Sequence, residues 1–298
     1  MGNTNGGIPP VRCKMMAETM PDDLKSELSA SFPFSQSSLQ DYFDCPRRFQ
    51  LRYIEHLAWP AVESEPVLEN ERRQQEGQLF HRILQQHLVG LPVEKLARLA
   101  RTPDLSRWWK NYLGHDFNIS GYAHHPELTI TAPVGTHRLL AKVDLVAVLP
   151  GQRVLIFDWK TTHKRPRDEW MAVRMQTRVY RALLVQAGSF LNSGTPVRPE
   201  QVEMIYWYPD FPSEPAHFPY NPAQYKRDWD SLTSMINDIG HHRYFPLTED
   251  EKKCSYCPFR SCCNRGGKAG TMVAAEEEME VESTGLNLNF EQIAEIEF

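Results

Sequence analysis

No stretch of this 298-residue chain approaches the roughly 18 consecutive apolar residues of a membrane-crossing helix, which excludes a helical integral membrane protein. The first residues do not run from basic to apolar as a secretion signal does. Met1-Gly2 is followed at position 6 by Gly rather than the Ser or Thr that myristoylation needs. A cytoplasmic protein without membrane attachment is therefore expected. Also missing is a phosphate loop of the form Gly-x(4)-Gly-Lys-Ser/Thr, so this chain carries no recognisable nucleotide-driven motor. No internal repeat recurs at a solenoid period. Cysteine is scarce, at six residues, which speaks against a disulfide framework in a cytosolic protein of this size. A basic surplus is lacking as well, because 33 Lys and Arg face 38 Asp and Glu for a net charge of −5.

What is present is ordinary in bulk and unusual in its arrangement. A hydrophobic content of 41% and a charged content of 24% suit a globular domain large enough to bury a real core. The acidic excess is segregated. From Glu276 to Phe298 there are eight Glu and no Lys or Arg, so the rest of the chain carries 33 basic and 30 acidic side chains, or +3. That weakly basic body removes the objection to a nucleic-acid partner without proving one. Residues 1–33 are expected to be a disordered N-terminal segment, 34–267 the folded domain, and 268–298 an acidic, disordered tail. Leu286, Leu288, Phe290, Ile293, Ile296 and Phe298 interleave with the tail's acidic residues, a pattern that also suits a docking peptide for a partner.

Periodicity organises the folded part. A Ser cap near Ser35–Ser38 opens helical spacing through Leu39, Tyr42 and Phe43, and Cys45-Pro46 breaks the run into two short helices. A longer helix is predicted from Asn70 to Leu88, with Leu79, Phe80, Ile83, Leu84 and Leu88 as its apolar stripe. Helical segments continue through Trp108, Trp109 and Tyr112. Strands follow at Glu127–Thr131, Leu139–Leu149 and Arg153–Lys160, with Pro150-Gly151 as the turn of a hairpin. A helix from Asp168 to Ala187, a strand from Val202 to Tyr208 and a helix from Pro222 to His241 complete the order. Helices, then a β-meander, then helix, strand and helix predict an α/β (α+β) fold with one central mixed sheet flanked by helices.

Within that frame, Asp144 ends one apolar run and Asp158-Trp159-Lys160 ends the next. Alternation places Asp158 and Lys160 on one sheet face, and the hairpin brings Asp144 beside them. Two carboxylates and an ammonium on one face can bind a hard cation and assist phosphodiester hydrolysis. Gln176 and Tyr180 lie four apart on the following helix and so share a face. His81 on the long N-terminal helix is a candidate further ligand. Cys254-x-x-Cys257-x(5)-Cys263, with a distant Cys45, could hold zinc or an iron–sulfur cluster and would join the two ends of the domain.

The ordered set Gly77-x(3)-His81, Asp144, Asp158-x-Lys160 and Gln176-x(3)-Tyr180 resembles the PD-(D/E)XK nuclease superfamily, in its RecB-like branch. The opening Ser35-Gln-Ser-Ser-Leu-Gln-Asp-Tyr-Phe-Asp-Cys45-Pro-Arg-Arg-Phe49 looks like the segment that introduces the iron–sulfur form of that branch, shared by AddB-type nuclease domains and CRISPR adaptation nucleases. The resemblance spans about residues 35–265 and implies a restriction-endonuclease-like fold with an N-terminal helical region and a C-terminal cysteine cluster. It implies Mg²⁺ or Mn²⁺ held by Asp144, Asp158, His81 and the Trp159 carbonyl, with Lys160 orienting the attacking water. Gln176 and Tyr180 would position the scissile phosphate or support Lys160, and Glu127 would stand behind or beside the metal. A 4Fe–4S cluster on Cys45, Cys254, Cys257 and Cys263 is implied over zinc. The expected activity is a metal-dependent deoxyribonuclease, an exonuclease that processes single-stranded or duplex ends in repair or recombination beside a separate helicase. Spacer processing in CRISPR adaptation and a non-catalytic DNA-end binding module are the alternatives.

Overall fold

The computed structural model describes residues 28–29, 31–57, 67–255 and 257–266. The expectations for residues 1–27 and for the tail 268–298 lie outside them. The architecture is mixed α/β, one six-stranded sheet flanked by helices, as the periodicity predicted.

The sheet is built around the hairpin of β3 (His137–Leu149) and β4 (Arg153–Trp159), closed by a turn in which Gly151 takes a φ of +75° that few other residues tolerate. β2 (Ala123–Val134) lies antiparallel along nearly the whole of β3. On its other edge β3 is shared. β1 (Pro33–Ser35) pairs in parallel with residues 138–140, and β4 pairs with residues 145–149. Residues 141–144 are left without a strand on that edge. β5 (Val202–Trp207) runs parallel to β4, and β6 (Ala216–Pro219) closes the far edge antiparallel to β5. The sequence reading did not foresee β1 and β6. Both are edge strands of four residues or fewer, too short to show alternation.

A parallel β4–β5 pair needs a crossover, which α6 (Asp168–Val173) and α7 (Met175–Ala187) supply. One face of the sheet is covered by α1 (Gln36–Asp44), α7 and α8 (Pro222–His241), with Val143, Val146, Ile156, Met204, Leu183 and Ile236 in the core. The other face is covered by α3 (Val67–Leu88), α4 (Val93–Ala97) and α5 (Pro103–Gly114), where Phe80, Ile83 and Trp108 meet Leu145, Phe157 and Trp207. Each such side chain contributes about 1.5–3 kcal/mol by leaving water. Burial on both faces explains why β4 reads as a continuous apolar run.

The start of the domain is fixed locally. Ser35 accepts a hydrogen bond from the Ser38 N–H at 3.2 Å and returns its own N–H to the Ser38 hydroxyl at 2.9 Å, a capping box that sets where α1 begins. Cys45 leaves the helix in an extended conformation, and Pro46 opens α2 (Pro46–Phe49), where its missing N–H costs nothing. The break at Cys45-Pro46 lies where the sequence placed it.

One irregularity matters for the site. The β3 side chains facing α7 are Leu139, Ala141 and Val143, then Val146 and Val148, while Leu145 and Ala147 face the α3 side. The inward set changes from odd to even positions across Asp144. Opposite it on β2, Glu127 adopts a φ of +54°, a conformation that costs a non-glycine residue about 1–2 kcal/mol. Both strands are distorted at the same rung, where β4 also ceases to pair with β3.

Candidate active site

The opening between β3 and β4 holds the charged residues the sequence singled out. Ladder pairing of the hairpin ends at Leu145 and Phe157, so Asp144 and Asp158 sit across from each other one step beyond it. The Trp159 N–H, released from β3, donates instead to Asp144 Oδ2 at 2.9 Å. β4 remains held on its other side, because the Lys160 N–H donates to the Trp207 carbonyl at 2.9 Å.

Lys160 Nζ lies 3.1 Å from Asp158 Oδ2 and donates to Gln176 Oε1 at 2.9 Å. The Gln176 amide donates to Asp158 Oδ1 at 2.7 Å and to the Tyr180 hydroxyl at 3.2 Å. Tyr180 in turn donates to the Lys142 carbonyl at 2.8 Å, a group left without a strand partner by the gap between β1 and β4. Gln176 and Tyr180 thus bridge the gap and hold Lys160. His81 reaches in from α3, with Nδ1 3.2 Å from Asp144 Oδ1. Gly77, one turn earlier, is where α3 passes closest to the chain leaving β4. A Cβ there would stand 2.8 Å from Thr161 Oγ1.

The charges are uneven. Burial pushes the Asp158 carboxyl up to about 7, with the charge of Asp144 adding to the shift and Lys160 opposing it. Burial also disfavours the charged form of Asp144, but His81, the Trp159 N–H and Lys160 outweigh it and hold that carboxyl below the usual range. For His81 burial acts against the imidazolium, yet Asp144 and Asp158 raise it to about 9. Burial, followed by the two carboxylates, raises the Tyr180 phenol well above its ordinary value. The two close acids therefore titrate as a pair, with the proton favoured on Asp158 rather than on Asp144.

Glu127 does not join this network in the observed arrangement. Its carboxylate pairs with Lys142 Nζ at 2.5 Å, two residues before Asp144 on β3. Two residues escaped the sequence reading. Tyr206 on β5 stands beside Asp158 in the ladder, with its ring 5.4 Å from Lys160 Nζ and its hydroxyl 2.8 Å from Thr177 Oγ1. Gln36 on α1 donates to the Tyr180 hydroxyl at 3.3 Å. The pairing of β4 with β5 is a long-range register that no local pattern discloses. Gln36 did lie inside the opening segment already singled out.

At the opposite end of α1 the cysteines gather. Cys45, Cys254, Cys257 and Cys263 are free thiols. Burial raises the Cys263 thiol to about 11, and Cys257, Cys45 and Cys254 lie close enough to oppose its ionisation further. Burial likewise raises Cys254 and Cys257, against favourable charges from Arg265 and Arg48 respectively. Cys257 packs with Leu51 and Phe259, joining the chain after α2 to the C-terminal turns.

Among the described residues no group of three or more His, Cys, Asp and Glu side chains is arranged to hold a metal ion. The donor chemistry at Asp144 and Asp158 nonetheless fits a hard divalent cation. Asp158 Oδ2 is buried and makes no well-directed hydrogen bond, although Lys160 is near. A cation would replace the His81 proton as the counter-charge of Asp144 and would satisfy Asp158 Oδ2.

No curated protein matches the chain. Among the solved structures that share features with it, one named SSO0001 does so at 11% identity and a TM-score of 0.36, covering 77% of this chain and 84% of its own. Another, from Eubacterium rectale and named a "putative exonuclease", matches at 8% identity and a TM-score of 0.45, covering 78% and 91%. Likenesses this distant carry no argument about function. The family model of the PD-(D/E)XK nuclease superfamily matches residues 33–264, more than three-quarters of the sequence. The mixed sheet with flanking helices is the restriction-endonuclease-like arrangement of that family, and this chain belongs to the PD-(D/E)XK nuclease superfamily.

Proposed function

We propose that this nuclease is a metal-dependent deoxyribonuclease that trims DNA ends, with its reaction centre at Asp144, Asp158 and Lys160. The observation that carries the reading is the meeting of two carboxylates and an ammonium at the point where β3 and β4 part. Asp144, Asp158, the Trp159 carbonyl and His81 would hold Mg²⁺ or Mn²⁺, the ions that PD-(D/E)XK nucleases generally use. Such an ion supplies a bound water of lowered pKa and a counter-charge for the phosphate oxygens.

The remaining steps belong to the chain's own groups. For His81 to act as a ligand one ring nitrogen must give up its proton, and Nε2 can do so while Nδ1 keeps its contact with Asp144, so metal and proton compete at the imidazole. Lys160, held by Gln176 and Asp158, orients the attacking water and stabilises charge on the scissile phosphate. Gln176 and Tyr180 are positioning residues, since they reach the reaction through Lys160 and Asp158. The chain carries no motor motif, so a helicase would be a separate partner in repair or recombination.

The same proposal assigns a 4Fe–4S cluster to Cys45, Cys254, Cys257 and Cys263, in the manner of RecB and AddB relatives. Its support is four free thiols near enough to feel one another's charge, among Arg47, Arg48, Arg260 and Arg265. Iron with broad visible absorbance in anaerobically purified protein is expected, and both should be lost in Cys257→Ala. Stoichiometric zinc without iron would overturn the cluster.

The reaction is tested by incubating the pure protein and Mn²⁺ with end-labelled single- and double-stranded DNA. Release of label from ends is expected, together with loss of cleavage but retention of DNA binding in Asp158→Ala. Cleavage that persists in that variant at saturating metal sinks the site assignment.

A further inference from the structure

The segment Thr161–Met175 is tied to the site at both ends. It departs after Lys160 and returns at Gln176, and these two side chains are hydrogen-bonded at 2.9 Å. The strap therefore begins and ends at the reacting centre, and its middle runs out towards the β6 edge of the sheet, where Arg165 donates to the Glu214 carbonyl at 2.7 Å.

The first half of the strap is fastened down. Thr161 packs against Gly77, and His163 Nδ1 lies 3.1 Å from Asp210 Oδ2. Asp210 is itself held by Trp108 Nε1 at 2.8 Å and Arg107 at 2.7 Å. Arg165 lies over the Tyr208 ring at 5.6 Å and pairs with Asp168 at 2.7 Å. The second half buries Met171 and rests Trp170 and Ala172 against the core, and presents its other side chains outward. Arg167 and Glu169 are exposed, Val173 is 65% exposed, and Trp170 is half-buried with the Arg174 guanidinium 4.9 Å from its ring centre. Arg167, Glu169, Trp170 and Val173 line an open pocket of about 350 Å³.

From Lys160 to Arg174 the strap holds five Lys and Arg against two acids, in a protein whose net charge is −5. This is the densest basic stretch near the site, and it is interrupted by one aromatic ring in an open pocket. Basic groups spaced around a stacking ring are what a single-stranded nucleic acid requires. A duplex keeps its bases stacked on one another and offers only its phosphates to such a surface. An apolar peptide would gain little from the Arg174 guanidinium at the ring and Arg167 in the same pocket.

We propose that the strap is a single-strand DNA platform, in which a base near the scissile phosphate stacks on Trp170 against Val173 while Arg167 and Arg174 hold the flanking phosphates. This rests on the nuclease reading of the same site and names the form of DNA that reaches it. It makes a DNA end compete for the site as an unpaired strand rather than as a duplex.

The test is equilibrium binding by the full chain, without added divalent metal, to a fluorescein-labelled single strand and to a blunt duplex of the same sequence. Trp170→Ala should weaken single-strand binding on the order of tenfold and change duplex binding by less than about twofold. Trp170→Phe keeps a ring and should restore most of the affinity. Val173→Glu, at an exposed position that the core does not need, should weaken single-strand binding selectively even if Trp170→Ala unfolds. Arg167→Ala should weaken both substrates and lower the salt dependence by about one counterion. The platform is overturned if the wild type does not bind the single strand. It is also overturned if folded Trp170→Ala, or Val173→Glu in its place, binds the single strand as the wild type does or loses both substrates equally. Cleavage by the wild type with Mn²⁺ is scored separately. Binding that behaves as stated without cleavage removes the nuclease reading alone, and cleavage with unchanged binding removes the platform alone.

Discussion

The sheet site and the cysteine site are assembled by different physics. Asp144, Asp158 and Lys160 are set by strand register, and each hydrogen bond between them is anchored in a ladder or a helix buried in the core. The four cysteines come from Cys45 at the end of α1, from short 3₁₀ turns at Glu251–Cys254 and Arg260–Cys263, and from Cys257 in the connection between those turns, with little buried apolar surface around them. The first site is pre-formed by the fold. The second consists of thiols that repel one another's ionisation and would be organised by what they bind. Substitution should therefore remove chemistry at the first and cohesion at the second.

The largest effect is expected at Lys160. Lys160→Ala leaves Asp158 and Gln176 without the ammonium they share, and should lower kcat by about 10³-fold, with KM much less changed, since the charge matters most in the transition state. Single-turnover cleavage of labelled DNA measures it. A kcat within tenfold of wild type would show that the sheet site is not where hydrolysis occurs. Cys257→Ala should act in the opposite sense. It should lower the melting temperature by about 5 °C or more, because it opens the join between the chain after α2 and the C-terminal turns. Activity per folded molecule should fall far less than in Lys160→Ala. A melting temperature equal to wild type would deny the thiols their role as a clasp.

The two sites were not equally legible. The β3–β4 hairpin, its Pro150-Gly151 turn and the facing of Asp158 with Lys160 follow from alternation alone, and Gln176 with Tyr180 from helical spacing. Hidden from the sequence was the distortion at Asp144. Leu139–Leu149 reads as one regular strand, yet its inward face changes there, because β4 leaves the ladder and Glu127 turns to positive φ. Tyr206 was hidden for a related reason, since strand neighbours across a crossover are chosen by global packing. The N-terminal edge strand β1 is three residues long and is held by its pairing with β3 and by its own buried Phe34. Local pattern thus picked out the residues that meet at the opening of the sheet, while long-range pairing determined their geometry.

A smaller effect should come from the seam between α3 and the strap. Gly77→Ala places a methyl group 2.8 Å from Thr161 Oγ1, so the helix or the strap must move by a few tenths of an ångström. Overpacking of this kind costs about 1–3 kcal/mol, partly offset by the better helix propensity of Ala. Because His81 lies one turn further along α3, the expected result is weaker metal activation of cleavage, seen as a higher half-saturating Mn²⁺ concentration. The double variant Gly77→Ala with Thr161→Ala removes the clash and should recover most of the loss. If it recovers none, the close approach is not the reason for the glycine.

The smallest effect separates support from chemistry. Glu127 sits on the distorted rung opposite Asp144, which makes it tempting as a third acid, but its carboxylate is paired with Lys142. Both side chains are partly exposed, so the pair is worth no more than about 1 kcal/mol. Glu127→Gln keeps the shape and the backbone and should leave kcat within about threefold, with a change in melting temperature of at most about 3 °C. If Glu127 instead left Lys142 to hold the metal, Glu127→Gln would raise the half-saturating Mn²⁺ concentration tenfold or more while the melting temperature stayed the same. A metal titration on this one variant therefore decides whether the distorted rung contributes two carboxylates to the site or three.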